Sequence, residues 1–338
     1  MERSERIIIL TGASAAELDR IVASRNDGFD WSRQPRIKDS NGLLKRVKPI
    51  PLPYAVKILD ENELTCALTK PVHCLVARPN DRRKNKVLHG HCWSTDLPKN
   101  SLIQLSENIY VCAPEFRFLQ AARALSIPRC IVFGLELAGS YISDREAEYG
   151  CRQCLPRTNE KLLKGYLSGI TQKLGIKKAR KAASHVLPNS RSPMESRLAA
   201  VLTIPQVHGG FGLPKPELNP KIETNPDFQK SGISEPRFCD VFYRKISLDI
   251  EYNGKQHEQG SAPERDLQRE RDLLRAGISV VSLSEKSLVN PMEMARLARS
   301  IRKRLGMRHR PESDRTFKKR NQLFRTLFSG IGFGLAAA

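Results

Sequence analysis

The sequence predicts a protein of mixed class, α+β and α/β, with an N-terminal α+β domain followed by a mixed sheet flanked by helices. Three features predict it. Short apolar runs bounded by Pro, Asn and Asp fill residues 54–114. The stretch "PNSRSP" at 188–193 has the composition of a linker. Beyond it, residues 191–306 read in the order α-β-β-α-β-α, and a helix joining a hairpin to a further strand requires a crossover. The expected division is 1–189, 190–306 and a basic, flexible tail at 307–338.

The N-terminal part opens with "SAAELDRIVASR", where Ser14 and Glu17 have the spacing of a capping box and Leu18, Ile21 and Val22 follow at helical intervals. Residues 34–53 carry four prolines and read as loop. "AVKIL", "HCLVARP", "KVLHGHCW" and "IYVCAP" read as strands. The basic "RPNDRRKNK" between them is either a solvated turn or a phosphate contact. "EFRFLQAARALSI" places Phe118, Leu119, Ala122 and Leu125 on one helix face, and two basic amphipathic helices follow.

In the C-terminal part, "SPMESRLAAVL" starts a helix with Ser192 as N-cap, Pro193 in the first turn and Glu195 closing an S-x-x-E box. The Gly-rich "VHGGFGLP" has no phosphate-loop signature and is expected to shape the mouth of the sheet. "RFCDVFY" and "ISLDIEY" are strands separated by Arg244 and Lys245, hence a hairpin. "PERDLQRERDLLRAG" is a helix, "ISVVSL" a buried strand, and "NPMEMARLARSIRKRLG" a helix capped by Asn290. The arm after 306 is expected to track a phosphate backbone or to stay disordered.

Composition narrows the partners. Lys and Arg number 57 against 36 acids, a formal charge of +21, which favours a polyanion and above all nucleic acid. The eight cysteines lie mostly in apolar runs, as free thiols do in a reducing cytosol. Cys151 and Cys154 form a lone C-x-x-C without a second pair, and His73, His89, His91 and Cys92 show no regular ligand spacing, so no zinc site is expected. No signal peptide or membrane-length apolar run is present, and a cytoplasmic protein without membrane partners is expected.

The carboxylates suggest chemistry. A two-residue turn at 244–245 sets Asp240 near Asp249, with Glu251 about one strand step beyond. Carboxylates that close repel unless a cation lies between them, and an all-oxygen donor set suits Mg²⁺ or Mn²⁺. Glu195, Asp240, "IEYNGKQH", Asp266-x-x-Arg269 and "ISVVSL" form an ordered series. This series resembles the PD-(D/E)XK nuclease superfamily, in particular its branch similar to very-short-patch repair endonucleases. The resemblance spans about residues 190–306. It implies a restriction-endonuclease-like fold and a Mg²⁺-dependent DNA endonuclease.

Carried over residue by residue, the resemblance makes Asp240 and Glu251 the metal ligands, with the Tyr252 carbonyl as a third oxygen. Glu195 would ligate through water or orient a ligand, and His257 would serve as general base. Asp266 and Arg269 would support His257 and contact phosphate, or form a surface ion pair. The superfamily's lysine position holds Asn253, which brings no charge. Lys255 would stand in for it. Lys255, Arg269, Arg302, Lys303 and Arg304 are the expected nucleic-acid contacts. Residues 60–130 resemble AbiEi-type antitoxin regulators. This implies a DNA-binding regulator with an inactive nuclease-like domain as the alternative, and a toxin or a second copy of the chain as protein partner.

Overall fold

The computed structural model describes residues 6–25, 28–171, 174–222, 237–253, 271–308 and 311–329. The expectations for Lys255, His257, Asp266 and Arg269 lie outside the described residues. Strands β1 (Ile8–Leu10), β2 (Val72–Val76), β3 (Leu88–Cys92), β4 (Leu102–Gln104) and β5 (Ile109–Cys112) form a mixed sheet in the order β3-β2-β1-β5-β4. The central strand comes from the apolar run Ile7–Leu10, a pattern that suits a strand covered on both faces. Ile7 and Ile9 join one buried cluster, and Ile8 and Leu10 join the other. Helices α1 (Gly12–Arg25), α2 (Ser40–Arg46) and α3 (Leu52–Glu61) follow β1 in the chain; α4 (Pro114–Ala124) and α5 (Ile127–Ala138) follow β5. Next come the hairpin β6 (Tyr141–Ser143) and β7 (Cys151–Gln153), then α6 (Glu160–Ser168) and α7 (Ile176–Ala183).

Three local expectations for this region are corrected. Ser14 is not the cap of α1: it lies inside the helix, and its hydroxyl accepts the His73 N–H at 2.9 Å. Glu17 accepts from Thr69 N–H at 3.1 Å instead of closing a box. "AVKIL" is helical, because Pro51 and Pro53 start α3 and Ala55, Ile58 and Leu59 then recur at helical spacing on its buried side. Within the stretch read as loop, Asp39 caps α2 by accepting from Gly42 N–H at 2.8 Å.

The C-terminal part begins with α8 (Pro193–Thr203), in which every residue after Pro193 is buried. A four-stranded sheet follows in the order β13-β12-β11-β8, from β8 (Glu217–Leu218), β11 (Val241–Tyr243), β12 (Leu248–Asn253) and β13 (Ser279–Ser284). β9 (Lys221–Ile222) and β10 (Arg237–Phe238) pair separately. The β11–β12 pair is antiparallel and β12–β13 is parallel. Val241, Tyr243, Leu248 and Ile250 pack into the cluster that holds α8, while Phe242 packs with Leu273 and Ile278 in another. Helices α9 (Glu285–Val289) and α10 (Pro291–Arg304) complete the first side through Leu288, Met294, Ala298 and Ile301.

The hairpin turn is longer than expected. Arg244–Ile246 form a 3-10 turn and Ser247 takes φ +44, so Tyr243 pairs with Leu248. Asp240 is therefore not level with Asp249, whose partner is Phe242; continuing the register one step brings Asp240 level with Glu251. The strand expected over 237–243 is broken at Cys239–Asp240, because Arg237 and Phe238 pair with β9.

The stretch 188–193 is not a loose linker. Ser190 is fully buried, its carbonyl accepts the Ser140 N–H at 2.8 Å, and its hydroxyl oxygen accepts from Ser196 at 2.8 Å. One apolar cluster runs across it, from Leu135 and Ala138 through Leu198 and Val201 to Tyr243 and Ile250. The arm after 306 is likewise corrected from a flexible tail. Residues Asp314–Phe328 form α11, with Leu323, Phe324, Leu327 and Phe328 buried. It docks on the Gly-rich loop: Lys319 Nζ donates to the Val207 carbonyl at 2.8 Å, and Arg320 lies 4.1 Å over the Phe211 ring. A side chain at Gly209, at φ +91, would stand 2.4 Å from the Lys319 carbonyl oxygen. That loop seats the last helix; its glycines serve close packing.

A buried ion pair ties α1 to α4. Arg117 donates to Asp19 through both forks, at 3.0 and 2.7 Å, with side-chain exposures of 6% and 1%. Asp19→Ala leaves that guanidinium buried and unpaired and is expected to cost about 3–5 kcal/mol in chemical denaturation. Removing the exposed Lys57–Glu61 pair is expected to cost under about 0.5 kcal/mol. Equal effects in the two variants would contradict this account.

Candidate functional site

Glu195 stands in the first turn of α8. Its N–H donates to the Ser192 hydroxyl at 3.2 Å, so the expected cap forms. Its carboxylate turns away from the cap. Oε2 accepts from Arg191 N–H at 2.9 Å and from Asn219 Nδ2 at 2.6 Å. Burial, and then the charge of Asp240, raise its pKa from 4.5 to about 7, although both hydrogen bonds favour the ionised form. Glu195 and Asp240 are thus near electrostatic neighbours.

Asp240 sits at the break between β10 and β11. Its Oδ2 accepts the Tyr252 N–H at 3.0 Å, which locks it against β12. Glu251 is half-buried on β12, level with Asp240 by register, and Asp249 is fully buried two residues before it. Tyr252 meets the site through its N–H. Asn253 is exposed at the end of β12 opposite Ser284. The structure therefore brings Glu195, Asp240 and Glu251 to one end of the β11–β12 pair.

Asn219 completes this arrangement and is not singled out by the sequence. Its amide donates to Glu195 and, at 2.9 Å, to the Asn189 carbonyl; its backbone N–H donates to the Asp240 carbonyl at 3.0 Å. It adopts φ +49, a conformation Asn tolerates better than most residues. The only sequence trace is an Asn before Pro220 in "ELNP", an ordinary turn signal.

The expected nucleic-acid contacts separate. Lys303 and Arg304 are exposed in the last turn of α10. Arg302 is half-buried and donates to the Phe211 carbonyl, so it braces the Gly-rich loop. Among the described residues no helix is long and apolar enough to cross a membrane.

A second cluster contradicts the expectation that the histidines are scattered. Strands β2 and β3 run parallel with His73 level with His89, and His91 lies two residues further on the same face. The ligating nitrogens of the three rings all lie within 4.8 Å of one another, and the group could hold one metal ion. His91 Nε2 and His73 Nδ1 share a hydrogen bond of 2.9 Å. Burial lowers the pKa of both; for His91 the neighbouring imidazoles and Arg82 add to it, bringing it to about 4. Cys151 and Cys154 are free thiols, and burial pushes Cys151 up to about 11, as for an inert cysteine.

No family model, curated protein or solved structure matches this chain.

Asn219→Ala tests the acidic site. It removes a donor from a buried carboxylate, which costs about 1–3 kcal/mol when that carboxylate is charged. The loss of stability is expected to be larger at pH 8 than at pH 5, because Glu195 ionises near pH 7. Backbone strain at φ +49 is independent of pH, so an equal loss at both values would contradict the bridge to Glu195.

Proposed function

We propose that residues 190–306 form a divalent-cation-dependent nuclease domain of PD-(D/E)XK type, with a restriction-endonuclease-like fold, that hydrolyses phosphodiester bonds in DNA. The observation that carries this reading is the placement of Asp240 beside Glu195 and, by register, level with Glu251 at one end of a mixed sheet. The helix-flanked order β13-β12-β11-β8 and the charge of +21 support it.

The donor set fits Mg²⁺ or Mn²⁺. It is made of carboxylates; burial first and then the charge of Asp240 raise the pKa of Glu195, and a divalent cation would offset the second of these. Asp240 and Glu251 would hold the ion, which when bound supplies Lewis acidity and an acidified water. The chain prepares the rest. Tyr252 N–H orients Asp240, and Asn219 and Arg191 N–H fix Glu195 by Oε2. A carboxyl titrating near neutral pH is suited to taking up and giving back a proton during turnover. Lys303 and Arg304 are the exposed cations for the phosphate backbone.

A DNA-binding regulator of antitoxin type, with a nuclease-like domain that does not cut, is the second reading. Asn253 favours it, since a neutral amide stands where the superfamily has lysine.

Incubation with supercoiled plasmid separates the two. Nicking is expected with Mg²⁺ or Mn²⁺, with EDTA abolishing it and Asp240→Ala and Glu251→Ala reducing it to the EDTA background. Equal nicking by wild type and variants would overturn the catalytic assignment. Binding that weakens steeply with salt, without any cutting, would select the regulator.

A further inference from the structure

We propose that His73, His89 and His91 form a binding site for one divalent transition-metal ion, Zn²⁺ in the first place, with three imidazole ligands and a fourth position open to solvent. The site is separate from the carboxylates of the C-terminal sheet and does not depend on the nuclease reading.

The placement follows from strand geometry. In a parallel pair, aligned residues stand side by side, and residues two apart on one strand share a face. His73 and His89 are aligned, and His91 is the second residue on from His89. The three ring centroids lie 4.5–5.1 Å apart. In a tetrahedral zinc site with Zn–N of about 2.0–2.1 Å, ligand nitrogens stand roughly 3.3 Å apart. The observed atoms span from 2.9 Å to within 4.8 Å, so small side-chain rotations bring all three to that spacing.

The ligands sit on a braced frame. The His73 N–H is held by Ser14, and its carbonyl accepts the Thr11 N–H at 3.0 Å. Gly90, between the other two ligands, donates to the Arg83 carbonyl at 2.9 Å. A Cβ at Gly90 would stand 3.3 Å from the Arg82 Cα and the Arg83 nitrogen. The basic turn therefore folds tightly back over β3. Ligands on paired strands hold their spacing better than ligands on a loop.

Ligand chemistry selects the ion. Imidazole nitrogen suits Zn²⁺, Cu²⁺, Ni²⁺ and Co²⁺, whereas Mg²⁺ takes oxygen. All three rings are partly exposed, so solvent or an anion reaches the remaining position. Three histidines with one open position are also the donor set of solvent-accessible catalytic zinc.

The test uses the full chain, stripped with EDTA and titrated with Co²⁺ as a spectroscopic probe, then with Zn²⁺ as competitor. One equivalent of Co²⁺ is expected to give the visible band of a four-coordinate ion without a sulfur-to-metal charge-transfer band, and Zn²⁺ to displace it. His91→Ala and His89→Gln are each expected to weaken the binding that gives the four-coordinate band by on the order of 100-fold, and Asp240→Ala to leave that band unchanged. Denaturation midpoints in EDTA identify a variant that fails to fold; the other variant then decides. The proposal is overturned by absence of Co²⁺ and Zn²⁺ binding in wild type, by undiminished binding in a folded histidine variant, by a thiolate band, or by loss of the site in Asp240→Ala.

Discussion

Burial of α8 on all sides is the constraint around which the two halves of this protein are arranged. Its apolar residues join the cluster that runs from α5 to the C-terminal sheet and on to α11. A helix enclosed in this way must satisfy its polar groups inside the protein, because water cannot do so. Glu195 is the consequence. It lies in the first turn of that helix, and its carboxylate is held by the Arg191 amide and the Asn219 side chain. The same Asn219 is tied to Asn189 and to Asp240. Closing the cluster across residues 188–193 and positioning the acids at the sheet are thus one packing event.

Local chemistry made much of this legible. Ser192 caps α8 because a hydroxyl before Pro193 can accept an otherwise unsatisfied amide. "ISLDIEY" reads as a strand, and Leu248–Asn253 form one, its first two residues having gone into the turn. What misled was geometry set at a distance. The β11–β12 register depends on a turn two residues longer than the smallest one the sequence permits, and that difference moves Glu251 level with Asp240. The strand over 237–243 breaks because its first residues take β9 as partner. The basic arm reads as disordered from its charge, yet the buried Leu323, Phe324, Leu327 and Phe328 outweigh that signal once a glycine loop lets the helix approach.

The histidines show the same limit. His89 and His91 alternate on one strand, a short-range pattern, but His73 joins them only through the parallel pairing of β2 with β3. No spacing in the chain encodes that register. The nitrogens of this cluster could hold one metal ion, and they differ in donor type from the carboxylates of the C-terminal sheet.

The acidic site depends on the electrostatic coupling of Glu195 to Asp240. Carbon-13 NMR of labelled Glu side chains, followed against pH with and without Mg²⁺, measures it directly. Glu195 is expected to titrate near pH 7 without the ion, at lower pH with Mg²⁺, and at lower pH in Asp240→Asn. A midpoint near the ordinary 4.5, or one that neither Mg²⁺ nor Asp240→Asn moves, would contradict the account.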